Sequence, residues 1–156
     1  MIDSQGYRPN VGIILINEKK QVFWGRRKGE QSWQFPQGGM FEQESFDECM
    51  YRELNEELGL FPEHVEIVAK TNGWLYYDVP VHWSKQNSKY RGQKQVWYLL
   101  KLVGQEHHIN LRHHNSPEFD AWRWVEYWHP VNEVVKFKQE VYQQALNYLA
   151  EFLEHE

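Results

Sequence analysis

Cysteine is almost missing from this chain: Cys49 stands alone among 156 residues, so no internal disulfide can form. That composition fits a reducing compartment. Long apolar runs are missing too, and none reaches the length a bilayer requires. The opening "MIDSQGYRPN" has no basic region followed by an apolar stretch, so no signal peptide is expected. Together these point to a cytoplasmic protein with no membrane partner. Basic charge is in deficit, with a net charge of −5. Long-range attraction to a polyanion such as duplex DNA is therefore not expected. Repeats, low-complexity tracts and linkers are absent as well. The length suits a single domain over residues 1–156 with a real core.

What is present is aromatic and unevenly charged. Aromatic residues make up 16% of the chain, including eight Trp and nine Tyr. Such rings fill cores, and they also stack on bases. Residues 42–66 hold nine acidic residues against the single base Arg52. Residues 79–105 hold no acidic residue but include Lys85, Lys89, Arg91, Lys94 and Lys101. A pole suited to cations thus faces a surface suited to phosphates.

The hydrophobic pattern orders the elements. "VGIILI" (11–16) and "QVFWG" (21–25) are β-rich runs around the polar "NEKK" and read as a hairpin. "SWQFPQGG" (32–39) reads as a short strand running into a Pro/Gly loop. A helix follows, opened by the capping box Ser45/Glu48 and stopped by Gly59, with Pro62 beyond. Residues 65–69, 73–79, 95–103 and 121–127 read as further strands, and 80–94 as a polar loop. Residues 139–153 read as a second amphipathic helix, with Val141, Ala145, Leu146, Leu149 and Leu153 at helical spacing. The order predicts an α/β fold, a mixed sheet packed between helices.

The first helix raises a chemical question. On a wheel of about 100° per residue, Glu53, Glu56 and Glu57 fall in one sector about 100° wide. Phe46, Met50, Leu54 and Leu58 form the adjoining apolar stripe. Like charges three and four apart cost roughly 0.2–0.5 kcal/mol each when exposed, so a solvated acidic face is affordable. The other reading is a carboxylate cluster kept for cations. Arg52 is placed to pair with Glu56 at i, i+4.

The spacing favours the cluster. Gly38, five residues, Glu44, seven residues, then Arg52-Glu53-Leu54-Asn55-Glu56-Glu57-Leu58-Gly59-Leu60 match every fixed position of the Nudix box. The chain therefore resembles the Nudix hydrolases, which cleave a diphosphate linked to another moiety. The resemblance implies an α/β/α sandwich and two or more Mg²⁺ ions, with Mn²⁺ able to substitute. It implies Glu53, Glu56 and Glu57 as metal ligands and Glu53 as the general base, with Glu57 in the catalytic set. Arg52 would orient the cluster, Glu44 would support the loop–helix joint, and Gly38 and Gly39 would bring backbone close to the metals, with Gly59 ending the box helix. Hard cations prefer oxygen ligands and often bridge carboxylates to substrate phosphates.

Further segments narrow the likeness. "GYRPNVG" (6–12), "QFPQGG" (34–39), "GQKQVWYLL" (92–100) and "PEFDAWRWV" (117–125) resemble the bacterial RNA pyrophosphohydrolase branch of that family. This implies removal of pyrophosphate from 5′-triphosphorylated RNA, which leaves a 5′-monophosphate and initiates mRNA decay. The dinucleoside polyphosphate hydrolases, of the diadenosine tetraphosphate type, share several of these segments and form the alternative. A non-catalytic nucleotide-binding regulator would be expected to show a damaged carboxylate set.

Each substrate candidate has two readings. Arg8 clamps a phosphate or makes a surface salt bridge. Arg26 and Arg27 end a strand and point to opposite faces, Arg27 being the one expected to contact RNA. Gln37, Gln93 and Lys94 bind phosphate or water, or form a polar strand entry. Tyr77, Val135 and Phe137 match the base-contacting wall of the resemblance. Phe137, flanked by Lys136 and Lys138, either stacks on a base while lysine meets the backbone or packs the second helix. Glu118 completes the metal set or is a solvated loop acid, and Asp120 caps or pairs. His107, His108, His113 and His114 lie in a polar region without a zinc pattern and read as loop surface. Cys49 reads as packing. No protein partner is indicated.

Overall fold

The computed structural model describes residues 2–80 and 90–153. Eight strands form one sheet: β1 (Tyr7–Ile16), β2 (Val22–Arg27), β3 (Trp33–Gln34), β4 (Gln37–Gly39), β5 (Val65–Lys70), β6 (Leu75–Asp78), β7 (Gly92–Leu102) and β8 (Phe119–Val125). Among the described residues three α-helices accompany it: α1 (Phe46–Leu58), α2 (His129–Glu133) and α3 (Gln139–Ala150). The central order is β3-β2-β1-β7-β5, with β4 on β1, β6 on β7 and β8 on β2. Among the described residues only β1 and β7 run parallel, in register from Tyr7↔Gly92 to Ile16↔Lys101. The sheet is mixed, as expected.

Strict alternation divides the core. Ile13 and Leu15 of β1, with Val96, Tyr98 and Leu100 of β7, face Met50, Leu54 and Leu58 of α1. Ile14 and Ile16, with Trp97 and Leu99, face Tyr142, Leu146 and Leu149 of α3. Both faces are covered, which explains why "VGIILI" is apolar throughout instead of alternating. Tyr142 also donates nothing to solvent: its hydroxyl accepts the Phe35 amide at 3.0 Å deep in the α3 side.

The expected hairpin forms between β1 and β2. Asn17 Oδ1 accepts the amides of Lys19 and Gln21, and Lys20 takes φ 64° in the turn. The strands pair only at Ile16↔Val22 and then diverge, because β4 takes the vacated edge of β1 at Asn10–Gly12. This splay opens a cleft on the α3 side of the sheet.

α1 begins and ends as its sequence foretells. Ser45 Oγ accepts the Glu48 amide, Glu48 returns the bond to the Ser45 amide, and Gly59 caps in the left-handed conformation at φ 71°. Several boundaries differ, and one helix is new. Residues 35–36 break the predicted short strand into β3 and β4, because Pro36 cannot donate to a ladder. β7 starts at Gly92, so the polar loop predicted over 80–94 is shorter there; residues 81–89 lie outside the described residues. α2 was not foreseen: it is one short turn started by Pro130 and carries no amphipathic period. Among the described residues no helix is long and apolar enough to cross a membrane.

Gly12 has a packing reason of its own. A Cβ there would fall 2.4 Å from the Trp97 ring. Gly12→Ala should destabilise the fold by about 1–3 kcal/mol through overpacking; a urea denaturation midpoint equal to wild type would contradict this.

Candidate active site

Arg52 organises the acidic face of α1. Its Nε and Nη2 grip both oxygens of Glu44 at 2.7 and 3.0 Å, and Nη1 donates to Glu53 Oε2 at 2.8 Å. Nη2 also donates to the Gly39 carbonyl at 2.9 Å, and the guanidinium lies 3.8 Å over the Phe41 ring. The anticipated Glu56 pair is the longest of the three ion pairs, at 3.4 Å. Glu44 in turn accepts the Phe41 amide. It thus ties loop to helix, and its bond to Arg52 holds its carboxyl below the ordinary range.

Glu53 and Glu57 are buried at 7% and 5% exposure, while Glu56 remains half exposed. Burial raises the affinity of Glu53 for a proton, partly offset by its bond with Glu57 and by Arg52. Burial pushes Glu57 well up, and the neighbouring Glu53 and Glu118 carboxylates push it further. Glu57 Oε1 is buried with no hydrogen-bond partner. Such an oxygen carries a desolvation cost that a cation or proton would remove. Gly38 makes room for the pair, since a Cβ there would lie 2.0 Å from the Glu53 carboxyl carbon.

Among the described residues no three His, Cys, Asp or Glu groups converge to hold a metal ion by themselves. The oxygen-only donor set and the orphaned Glu57 oxygen fit a hard divalent ion that takes its other ligands from water and substrate phosphate. Glu53, Glu56, Glu57 and Glu118 line one cleft of about 370 Å³ with His114, Asn115 and Ser116.

A second cleft, of about 440 Å³, lies where β1 and β2 diverge. Arg8, Arg27, Gln37, Tyr77, Gln93, Phe137 and Lys138 all line it, and Glu118 borders both clefts. Arg8 makes no ion pair among the described residues; it lies over Gly39, where a Cβ would sit 2.3 Å from Nη2. Arg27 Nε is 3.4 Å from Glu118 Oε2 but out of hydrogen-bonding alignment. Arg26 points the other way, to Asp120 at 2.8 Å, so Asp120 pairs. Tyr77 and Phe137 stand ring to ring at 5.9 Å. Val135 lines the adjoining, more apolar hollow with Trp33, Val134 and Phe137.

A buried amide network floors this cleft. Gln95 donates to Asn10 at 2.8 Å and to Gln37 at 3.3 Å, and Gln37 donates to Tyr77. Sequence reasoning missed Asn10, Gln34 and Gln95, whose only signal was polarity inside otherwise apolar strands. It also missed the setting of Lys138. That ammonium donates to Gln34 at 3.2 Å, and burial, with Arg27 nearby, lowers its pKa to about 8.

Lys94 requires a correction. It was grouped with Gln93, but adjacent strand residues face opposite ways. Its Nζ is on the α1 side, 3.0 Å from Asp3 and 4.7 Å over the Trp74 ring, outside the cleft. Cys49 packs, as expected: it is fully buried, and burial pushes its thiol up to about 12. His114 is an exposed loop residue, as expected, and it also borders the carboxylate cleft.

The NUDIX domain family model matches residues 6–152. The chain belongs to the Nudix family. Nudix hydrolases act on phosphoanhydride bonds and generally use divalent metals such as Mg²⁺. The E. coli dihydroneopterin triphosphate pyrophosphohydrolase is similar at a TM-score of 0.70 and 16% identity, over 90% of this chain and 98% of that one. A C. elegans Ap4A hydrolase aligns at 0.66 and 16%, over 92% and 98%. The NUDIX domain of Shewanella oneidensis NrtR, complexed with ADP ribose, aligns at 0.61 and 15%, over 92% and 88%. At these identities the likeness establishes the Nudix fold.

The buried pair yields a pH prediction for the Nudix helix. A carboxyl with raised folded pKa stabilises the fold below the ordinary glutamate range and loses that contribution as pH climbs toward the raised value. Glu57→Gln stays neutral and avoids the loss. In chelator, its melting temperature should gain on wild type as the pH rises above the ordinary glutamate range; a constant gap would contradict the burial argument.

Proposed function

We propose that the protein is an Mg²⁺-dependent RNA 5′ pyrophosphohydrolase that acts in the cytoplasm. The observation that carries this reading is one cleft holding three cations, Arg8, Arg27 and Lys138, beside the Tyr77–Phe137 ring pair and opening on Glu118. Polyphosphate needs the cations, and the 5′ base needs the rings. The net charge of −5 does not oppose it, since only the first nucleotides and a triphosphate make contact.

In this reading Arg8 and Lys138 hold phosphate oxygens, Arg27 meets the RNA, and Gln37 and Gln93 order phosphate or water. Gln93 Oε1 is buried without a partner, so it has an acceptor to offer to a water or hydroxyl. Glu53, Glu56, Glu57 and Glu118 hold divalent ions, with Mn²⁺ able to replace Mg²⁺. Such ions would screen the phosphate charge and supply Lewis acidity at its P–O bonds. Glu53 takes the proton of the attacking water, oriented by Arg52, whose salt bridge keeps the carboxylate turned toward Gly38. Positioning and electrostatics supply most of the rate in phosphoryl transfer.

The second reading is a dinucleoside polyphosphate hydrolase. The apolar hollow of Trp33, Val134, Val135 and Phe137 beside the first cleft favours it, because a second base needs a second wall. A competition assay separates the two. With Mg²⁺, RNA labelled at its 5′-triphosphate and excess diadenosine tetraphosphate share one tube. Pyrophosphate release leaving monophosphorylated RNA is expected; preferred cleavage of the dinucleotide would transfer the conclusion to the second reading. Chelator should abolish turnover and Mg²⁺ or Mn²⁺ restore it.

Lys138 predicts the alkaline limb. Its ammonium loses its proton near pH 8, so a polyanion binds less well above that value. KM should rise across this range in wild type and stay flat, from a higher starting value, in Lys138→Gln. Parallel pH profiles for the two would remove Lys138 from substrate binding.

A further inference from the structure

We infer that His114 is a positioning residue that holds Glu118 over the carboxylate face through a hydrogen bond to Asn55; this rests on the reading of Glu118 as part of the hydrolytic site. Residues 110–117 leave the end of α1 and double back across its acidic side. The start of that segment is pinned by the Asn110 amide, which donates to the Leu58 carbonyl at 2.7 Å. Gly59 allows this close approach, since a Cβ there would lie 2.7 Å from the Asn110 carbonyl oxygen. The far end is pinned where the Glu118 carbonyl accepts the Lys28 amide at 2.9 Å. Between these anchors, His114 Nε2 lies 3.2 Å from Asn55 Oδ1.

The proton on that bond can be assigned. Asn55 Nδ2 is committed to the Leu60 carbonyl at 3.3 Å, so Oδ1 is the atom turned to His114. An amide oxygen only accepts, so His114 Nε2 carries hydrogen and donates. The neutral ring is then the Nε2–H tautomer. Asn55 sits on α1 between Leu54 and Glu56, and His114, Asn115, Ser116 and Glu118 wall the cleft opposite Glu53, Glu56 and Glu57.

Transmission to Glu118 is short. Pro117 fixes its own φ and restricts Ser116, so a constraint at residue 114 persists to residue 118. Among the described residues the Glu118 carboxylate has no other firm tether: its contact with Arg27 is 3.4 Å and misaligned. His114 is exposed, so its bond contributes little to global stability. A positioning role and a structural role are therefore separable.

The test is a mutant cycle on whichever substrate, triphosphorylated RNA or diadenosine tetraphosphate, is turned over faster. His114→Ala and Asn55→Ala should each lower kcat by about two- to tenfold, the range of one hydrogen bond, with KM and melting temperature little changed. The double variant should lose no more than either single one. His114→Ala should cost nothing further in a Glu118→Gln background, and His114→Gln, which keeps a donor, should recover part of the rate. A readout free of turnover uses metal-free protein: ¹⁵N spectra of the imidazole should show Nε2–H, and Asn55→Ala should relax that preference. Additive losses, an Nδ1–H tautomer, or full activity of His114→Ala beside an impaired Glu118→Gln would overturn the latch alone. An unimpaired Glu118→Gln would overturn it together with the reading of Glu118.

Discussion

One guanidinium carries the architecture of the acidic site. Arg52 spends its donors on Glu44, Glu53 and the Gly39 carbonyl, binding the helix to the loop that precedes it. No lysine could do the same, because three partners in fixed directions need a planar fork. Remove that fork and three acids on one helix face repel with nothing to set their geometry. The Gly38 backbone then loses its register with Glu53, and the second cleft loses the part of its wall that Gly38 and Gly39 form.

The sheet solves the complementary problem of presenting cations to a site made of carboxylates. Because β1 and β2 separate after one residue pair, β4 enters and the strand ends spread. Arg8, Arg27 and Gln93 then come from three different strands onto one cleft, while α1 delivers its acids from beyond Gly38. Arg27 and Glu118 face each other across this join as an ion pair at 3.4 Å that is not hydrogen-bonded. Polyphosphate and hard cations are the ligands that satisfy both sides.

How much of this was legible beforehand depends on range. The box helix, its cap at Ser45 and its stop at Gly59 are local chemistry and could be read directly. So could the alternation that separates Arg26 from Arg27 and, applied with equal rigour, Lys94 from Gln93. The amide floor of Asn10, Gln37 and Gln95 could not, because its members lie far apart in the chain and meet only through the β1–β7 register. His114 was hidden for a similar reason: its partner is an unconstrained position of the box, and only the return of the 110–117 segment brings them together. α2 escaped because a five-residue turn has no period to detect.

The parallel pair at the centre of the sheet also sets the order in which the molecule can come into being. Tyr7–Ile16 must wait for Gly92–Leu102 before it is paired along its length. Contacts so distant in sequence carry a large closure entropy and form slowly. On the ribosome, the first strand emerges long before its partner exists. α1 and its carboxylates can form early from local contacts, but the cation-lined cleft cannot. The acidic helix face is thus born with its helix, and the cation-lined cleft arrives only with the finished fold.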